Sequence, residues 1–205
     1  MSEHGRFITF EGIDGSGKST HIDTVKGVLR ARGIEPLVTR EPGGTPLGES
    51  LRELVLNQPM TREAETMLMF AARAEHLATV IRPALASGVW VLCDRFTDAT
   101  YAYQAGGRGI DERAIAELEQ WVHPDLQPSL TILFDVAPEV AAQRLARARS
   151  ADRFEGEPIA FFGAVRAMYL KRATAEPERF VVIDADQQRE IVRTQLEHLI
   201  RKWND

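Results

Sequence analysis

Residues 12–19 read Gly-Ile-Asp-Gly-Ser-Gly-Lys-Ser, and no other stretch of the chain constrains its fold as tightly. A glycine, four residues and then Gly-Lys-Ser is the spacing of a phosphate-binding loop. The glycines let consecutive backbone N–H groups turn inward as an anion nest, and the helix that follows adds the positive end of its dipole. Its context fits, because residues 6–11 (RFITFE) read as a strand and residues 18–32 as a helix. In such a loop Lys18 reaches the β and γ phosphates and the Ser19 hydroxyl ligates Mg²⁺. The donor-binding set is therefore Gly12, Ile13, Asp14, Gly15, Ser16, Gly17, Lys18, Ser19 and Thr20. The loop establishes a nucleoside triphosphate site without choosing among a switch, a motor and a kinase.

A strand, a phosphate loop and a helix in succession call for a parallel sheet wrapped by helices, and the rest of the chain continues the alternation. Short β-rich runs at residues 6–11, 36–39, 89–94, 130–135 and 180–184 predict five strands. Amphipathic stretches predict helices over 18–32, 46–56, 62–87, 111–121, 138–147, 158–175 and 188–202. Pro46, Pro138 and Pro158 stand where a first-turn proline is tolerated, and Gly33 and Gly88 where a helix-ending glycine is expected. The expected architecture is a three-layer α/β fold, a five-stranded parallel sheet flanked by helices. With 205 residues, 44% of them hydrophobic, the chain is expected to form one domain spanning 1–205.

Composition narrows the partners. Thirty acidic residues against 25 basic leave a net charge of −5, which disfavours broad nucleic-acid binding. No apolar run approaches the length of a membrane span, and the N-terminus lacks the charged and apolar regions of a secretory signal. The single cysteine, Cys93, lies in an apolar run and suits a reducing cytoplasm.

An Asn-Lys-x-Asp base-reading segment, expected of a guanine-specific switch, does not occur. A kinase of small acceptors needs an acceptor pocket and a cover that excludes water from the γ-phosphate. Asp94-Arg95-Phe96 ends the third strand at the carboxyl edge of the sheet, where open α/β folds bind ligands. There Asp94 is a candidate for holding Mg²⁺ through water, and Arg95 for clamping an acceptor phosphate; the same pair serves equally as a helix cap or surface ion pair. Residues 144–155 (RLARARSADRFE) carry Arg144, Arg147, Arg149 and Arg153 and read as an arginine-rich lid over about 144–157, or as a solvated helix end.

With these residues in view, the chain resembles the bacterial thymidylate kinases over nearly its whole length. The resemblance is carried by Thr39-Arg40-Glu41-Pro42-Gly43-Gly44-Thr45, by Asp94-Arg95-Phe96, by Ala102-Tyr103-Gln104 with Gly106-Gly107-Arg108-Gly109, and by Asp152-Arg153-Phe154-Glu155. It implies transfer of a phosphoryl group from Mg-ATP to dTMP, in a cytoplasmic homodimer. Asp14 is then expected near the bound nucleotide and the metal. Because the phosphate loop carries no arginine, the resemblance is to the form whose catalytic arginines lie in the lid. Arg149 and Arg153 are accordingly the candidates for the ATP phosphates, with Arg147 a further one, and together with Lys18 and Arg95 they form the expected catalytic set. It also implies Arg95 and Arg40 at the dTMP phosphate, Arg73 at the thymine edge, Tyr103 beneath the sugar where it excludes a ribonucleotide, and Thr100 and Gln104 at base or sugar.

Helical geometry adds an expectation about residues 62–87. At about 100° per residue Ala64, Met67, Leu68, Ala71, Ala78, Ile81 and Leu85 share one face, the predicted core stripe. Met69, Phe70 and Arg73 point away from it, toward the expected base site. In the family pattern a phenylalanine precedes this arginine by four positions; here Phe70 precedes Arg73 by three, and Phe70 is taken as the residue that stacks on thymine.

Overall fold

The computed structural model describes residues 5–146, 153–154 and 156–203. Five parallel strands, β1 (Phe7–Glu11), β2 (Leu37–Arg40), β3 (Val91–Asp94), β4 (Leu130–Asp135) and β5 (Phe180–Asp184), form one sheet in the order β2-β3-β1-β4-β5. The central strand β1 is buried at every position, as a strand covered on both faces must be. Strand and helix positions follow the predicted alternation to within a residue or two at most boundaries.

The connections matter for the site. After β1 the chain forms helix α1 (Lys18–Ala31), reaches the edge at β2, runs through α2 (Pro46–Asn57) and α3 (Arg62–His76), and returns to β3 beside β1. The register pairs Phe10 with Asp94 and Arg40 with Asp94, so three strand ends open onto one crevice. Arg95 N–H donates to the Phe10 carbonyl at 3.0 Å, continuing the ladder past the strand. Beyond β3 lie α5 (Thr97–Thr100) and α6 (Glu112–Val122), with α7 (Pro138–Leu145) after β4, α8 (Ile159–Ala175) before β5, and α9 (Arg189–Lys202) last. α1 packs on α9, while α8 packs on the segment after α5 and on β4 and β5. Among the described residues no helix is long and apolar enough to cross a membrane.

Two π-helical turns depart from expectation. One, Leu77–Ile81, joins α3 to α4 (Arg82–Ala86). The other, Tyr101–Gly107, extends α5 into a helix absent from the predicted set. A π turn inserts one residue and rotates the downstream face, and such turns recur at functional sites.

The predicted core stripe of residues 62–87 holds at Ile81, which is buried, and at Leu68 and Leu85, which pack against the core, but fails at three other positions. Met67 is 58% exposed, and Ala71 and Ala78 are exposed as well. Within α3 the buried face instead carries Glu65, Thr66, Phe70, Ala72, Arg73 and His76, and beyond it Leu77 is buried together with the expected Ile81. The helix turns its polar residues inward because they meet charged and amide partners there, which an apolar-stripe count does not register.

Candidate functional site

The phosphate loop leaves β1 through Gly12, whose φ of +137° is open to glycine alone; a Cβ would also stand 2.5 Å from the Phe134 carbonyl oxygen. Gly17, at φ +89°, starts α1. Lys18 folds back over the loop, donating to the carbonyls of Gly12 (3.0 Å) and Ile13 (3.2 Å). Burial, with Arg95 nearby, lowers its pKa to about 8 against the pull of Asp94, Asp14 and Glu11. The Ser16 hydroxyl is buried with no partner among the described residues. Ser19 Oγ donates to Asp94 Oδ2 at 3.3 Å, while Asp94 Oδ1 is buried and has no partner among the described residues. This hydroxyl and this carboxylate are hard oxygen donors of the type Mg²⁺ takes.

Arg95 stands at the junction of two cavities. Its φ of +71° is the one left-handed non-glycine conformation among the described residues, a strain of about 1–3 kcal/mol that persists only where surrounding contacts hold it. Nη1 donates to the Gly12 carbonyl (3.0 Å) and Tyr169 Oη (3.1 Å), and Nη2 to Asp14 Oδ1 (2.8 Å) and Tyr103 Oη (3.0 Å). Tyr103 in turn donates to Asp14 Oδ2 at 2.8 Å. Burial alone would raise the Asp14 carboxyl, but Arg95, Lys18 and the Tyr103 hydrogen bond outweigh it and hold the pKa at about 2. Behind this group Tyr169 donates to the fully buried Glu11 (2.8 Å), which also accepts from Phe96 N–H (2.7 Å). Burial, then the charge of Asp98, pushes Glu11 well above the carboxylate range.

One cavity holds Asp14, Gly15, Gly17, Lys18, Ser19, Thr20 and Asp94; the other holds Met69, Arg73, Thr100, Tyr103 and Gln104. Asp14, Glu41, Arg52 and Arg95 line both, so the phosphate loop and the second cavity open into each other. Deep in the second cavity Arg73 donates through Nε to Glu41 Oε2 (2.8 Å) and through Nη2 to Thr100 Oγ1 (3.1 Å). Its Nη1 is buried and unpartnered among the described residues. Glu41 is steadied by His76 Nδ1 at 3.0 Å, and His76 Nε2 lies 2.7 Å from Thr39 Oγ1.

Several predicted site residues sit differently. Phe70 does not line the cavity; it is 3% exposed and packs in a cluster with Tyr101, Ala105 and Ile115. Met69 lines the cavity in its place, one turn before Arg73, because a separation of four residues keeps two side chains on one helical face more nearly than three. Arg40 lines the loop-side cavity and pairs with Glu49 at 2.7 Å. Arg153, expected at the ATP phosphates, instead donates to the Val55 carbonyl (2.8 Å) and Glu65 Oε2 (2.6 Å), on the acceptor side. Arg147, Arg149, Asp152 and Glu155 lie outside the described residues.

The sequence reading missed Arg52, Glu65, His76 and Tyr169 as site residues. Glu41 lies within the Thr39-to-Thr45 motif, whose sequence alone assigns it no partner. For Glu11 a signal existed, an acid ending an otherwise apolar strand. For Arg52 and Glu65, charged residues on amphipathic helices, no local signal separates them from a solvated face.

A parallel sheet in this order, a phosphate loop on its central strand and an adjoining cavity define a P-loop nucleotide phosphotransferase. The thymidylate kinase family model matches residues 10–196. The thymidylate kinase of Cupriavidus pinatubonensis is 60% identical over 198 residues, covering 96% of this chain and 98% of its own. That of Methylobacillus flagellatus is 56% identical over 199 residues, with 97% and 98% covered. The crystal structure of thymidylate kinase from Ehrlichia chaffeensis superposes with a TM-score of 0.77 at 33% identity, over 96% of this chain and 99% of that one. The chain belongs to the thymidylate kinase family, and its activity is that family's, phosphoryl transfer from ATP to thymidylate.

Proposed function

We propose that the γ-phosphoryl group of Mg-ATP passes in line to the 5′-phosphate of dTMP across the crevice that joins the two cavities, giving dTDP and ADP. The observation that carries this reading is the wall common to both, Asp14, Glu41, Arg52 and Arg95. Donor and acceptor phosphates on either side of it would meet with cations between them. The acceptor phosphate is already anionic at neutral pH, so no strong general base is needed. Alignment and charge neutralisation supply the rate.

Residue by residue, the loop Gly12–Ser19 with Thr20 binds the donor, and Lys18 neutralises its β and γ phosphates. Ser19 and Asp94 would hold Mg²⁺, an assignment supported by the unpartnered Asp94 oxygen. The ion, when bound, adds positive charge at the transferring group. Arg95, with Arg40 and Arg52, faces the acceptor phosphate. Tyr103, locked by Asp14 and Arg95, keeps its ring beside C2′ and excludes a ribose hydroxyl. Arg73 offers its free Nη1 to a thymine carbonyl, Thr100 holds Arg73, Gln104 faces the base, and Met69 packs on it. Arg149 rests on sequence alone as the lid arginine at ATP, while Arg153 is committed to Glu65 and Val55. We further infer one domain over 1–205, a cytoplasmic setting and a homodimer, the last supported by the outward Met67 and Ala71 of α3.

A turnover screen with dTMP, dUMP, UMP, CMP, AMP and thymidine tests the assignment. Preference for dTMP by at least tenfold in kcat/KM is expected; equal turnover of UMP or CMP would overturn it.

A further inference from the structure

Glu65 is 1% exposed, yet no step of the proposed transfer uses it. Its Oε1 accepts from Gln104 Nε2 at 2.8 Å and Arg108 Nε at 3.3 Å, and its Oε2 from Arg153 Nη2 at 2.6 Å. A carboxylate held between two guanidinium groups is an acceptor only. The Gln104 amide can therefore meet it only through its NH₂ group. Turning the amide over would set one oxygen against another and forfeit a charge-assisted hydrogen bond. Gln104 lines the acceptor cavity, and with its NH₂ group held on the Glu65 side the amide oxygen is the acceptor it has left for a ligand.

The same cavity holds the unpartnered Arg73 Nη1, since Glu41 and Thr100 take Nε and Nη2. One donor and one acceptor thus belong to residues that line the same cavity. Their complement is a carbonyl beside an N–H, the imide edge of thymine or uracil. Cytosine offers the reverse, a bare ring nitrogen beside an amino group, and mismatches both. We propose that Glu65 is a positioning residue for base selection: it fixes the Gln104 amide so that the pocket accepts from N3–H, while Arg153 and Arg108 fix Glu65. This rests on the reading of the cavity as the thymidylate site.

The test compares dTMP with 5-methyl-dCMP, which differs only at positions 3 and 4 of the base. In Glu65→Gln a neutral amide can either donate or accept, so both orientations of Gln104 become available. The dTMP to 5-methyl-dCMP ratio of kcat/KM should fall by about tenfold or more, chiefly through a raised KM for dTMP, with KM for ATP unchanged. Glu65→Asp keeps the negative charge near both arginines but draws the carboxylate one methylene out of reach of Gln104 Nε2, and it serves if the glutamine variant fails to fold; its ratio should fall in the same direction. A folded variant of either kind that keeps the wild-type ratio, or loses both nucleotides equally, overturns the proposal. Absence of dTMP turnover in the wild type would instead overturn the functional reading beneath it.

Discussion

Arg73 and Glu41 form an ion pair almost wholly out of solvent, with side chains 3% and 4% exposed, and its removal can be worked through in energy. Arg73→Met keeps much of the side-chain volume while deleting the cation, leaving Glu41 buried with His76 as its remaining partner. Breaking a buried pair from one side costs about 3–5 kcal/mol, because the surviving charge is uncompensated; replacing both charges costs far less. In a chain of 205 residues each kcal/mol moves Tm by about 2–4 °C, so Arg73→Met should lower it by roughly 6–20 °C. Glu41→Gln placed on top should recover at least about 1 kcal/mol, so the two substitutions together are less harmful than the sum of each alone. Urea unfolding of the wild type, both single variants and the double variant measures the cycle. Turnover should move too: loss of a charged hydrogen bond to the base, about 1.5–3 kcal/mol, raises KM for dTMP by about 10–150-fold. A cost below about 1 kcal/mol for Arg73→Met, or strict additivity in the double variant, would refute the argument that a buried charge is at stake.

Lys18→Ala should abolish phosphoryl transfer while leaving the chain folded, and near-normal turnover in a coupled ADP-release assay would sink the role given to the loop. Asp14→Asn should change acid stability in a defined window. The Asp14 carboxyl sits at about 2 when folded against 3.8 ordinarily, so it contributes about 2 kcal/mol above pH 3.8 that is lost as pH falls toward 2. The asparagine variant should be less stable than wild type at pH 5 and close to it near pH 2; a constant difference across that range would refute the pairing.

Much of this architecture was legible because its signals are local. A strand buried on both faces writes itself as a short apolar run, and a phosphate loop as glycines at fixed spacing, so the donor side could be placed from residues 6–19 alone. The acceptor side was legible where a strand end carries an unusual pair, as Asp94-Arg95 does, and through the family resemblance. It was misread on α3, where amphipathic counting assumes that the inward face is apolar. That face carries Glu65, Arg73 and His76, and their partners come from far along the chain: Glu41 lies 32 residues before Arg73, Gln104 lies 39 after Glu65, and Arg153 lies 88 after it. No window of helical length contains both members of such a pair. The same remoteness explains Arg153, which a count of lid arginines assigns to ATP but which finds its carboxylate on α3. A polar residue on the inward face of a helix acquires its meaning only when the sheet brings its partner back, and in this fold those returning partners line the acceptor pocket. Where stripe and structure disagree on α3, the disagreement coincides with the acceptor site.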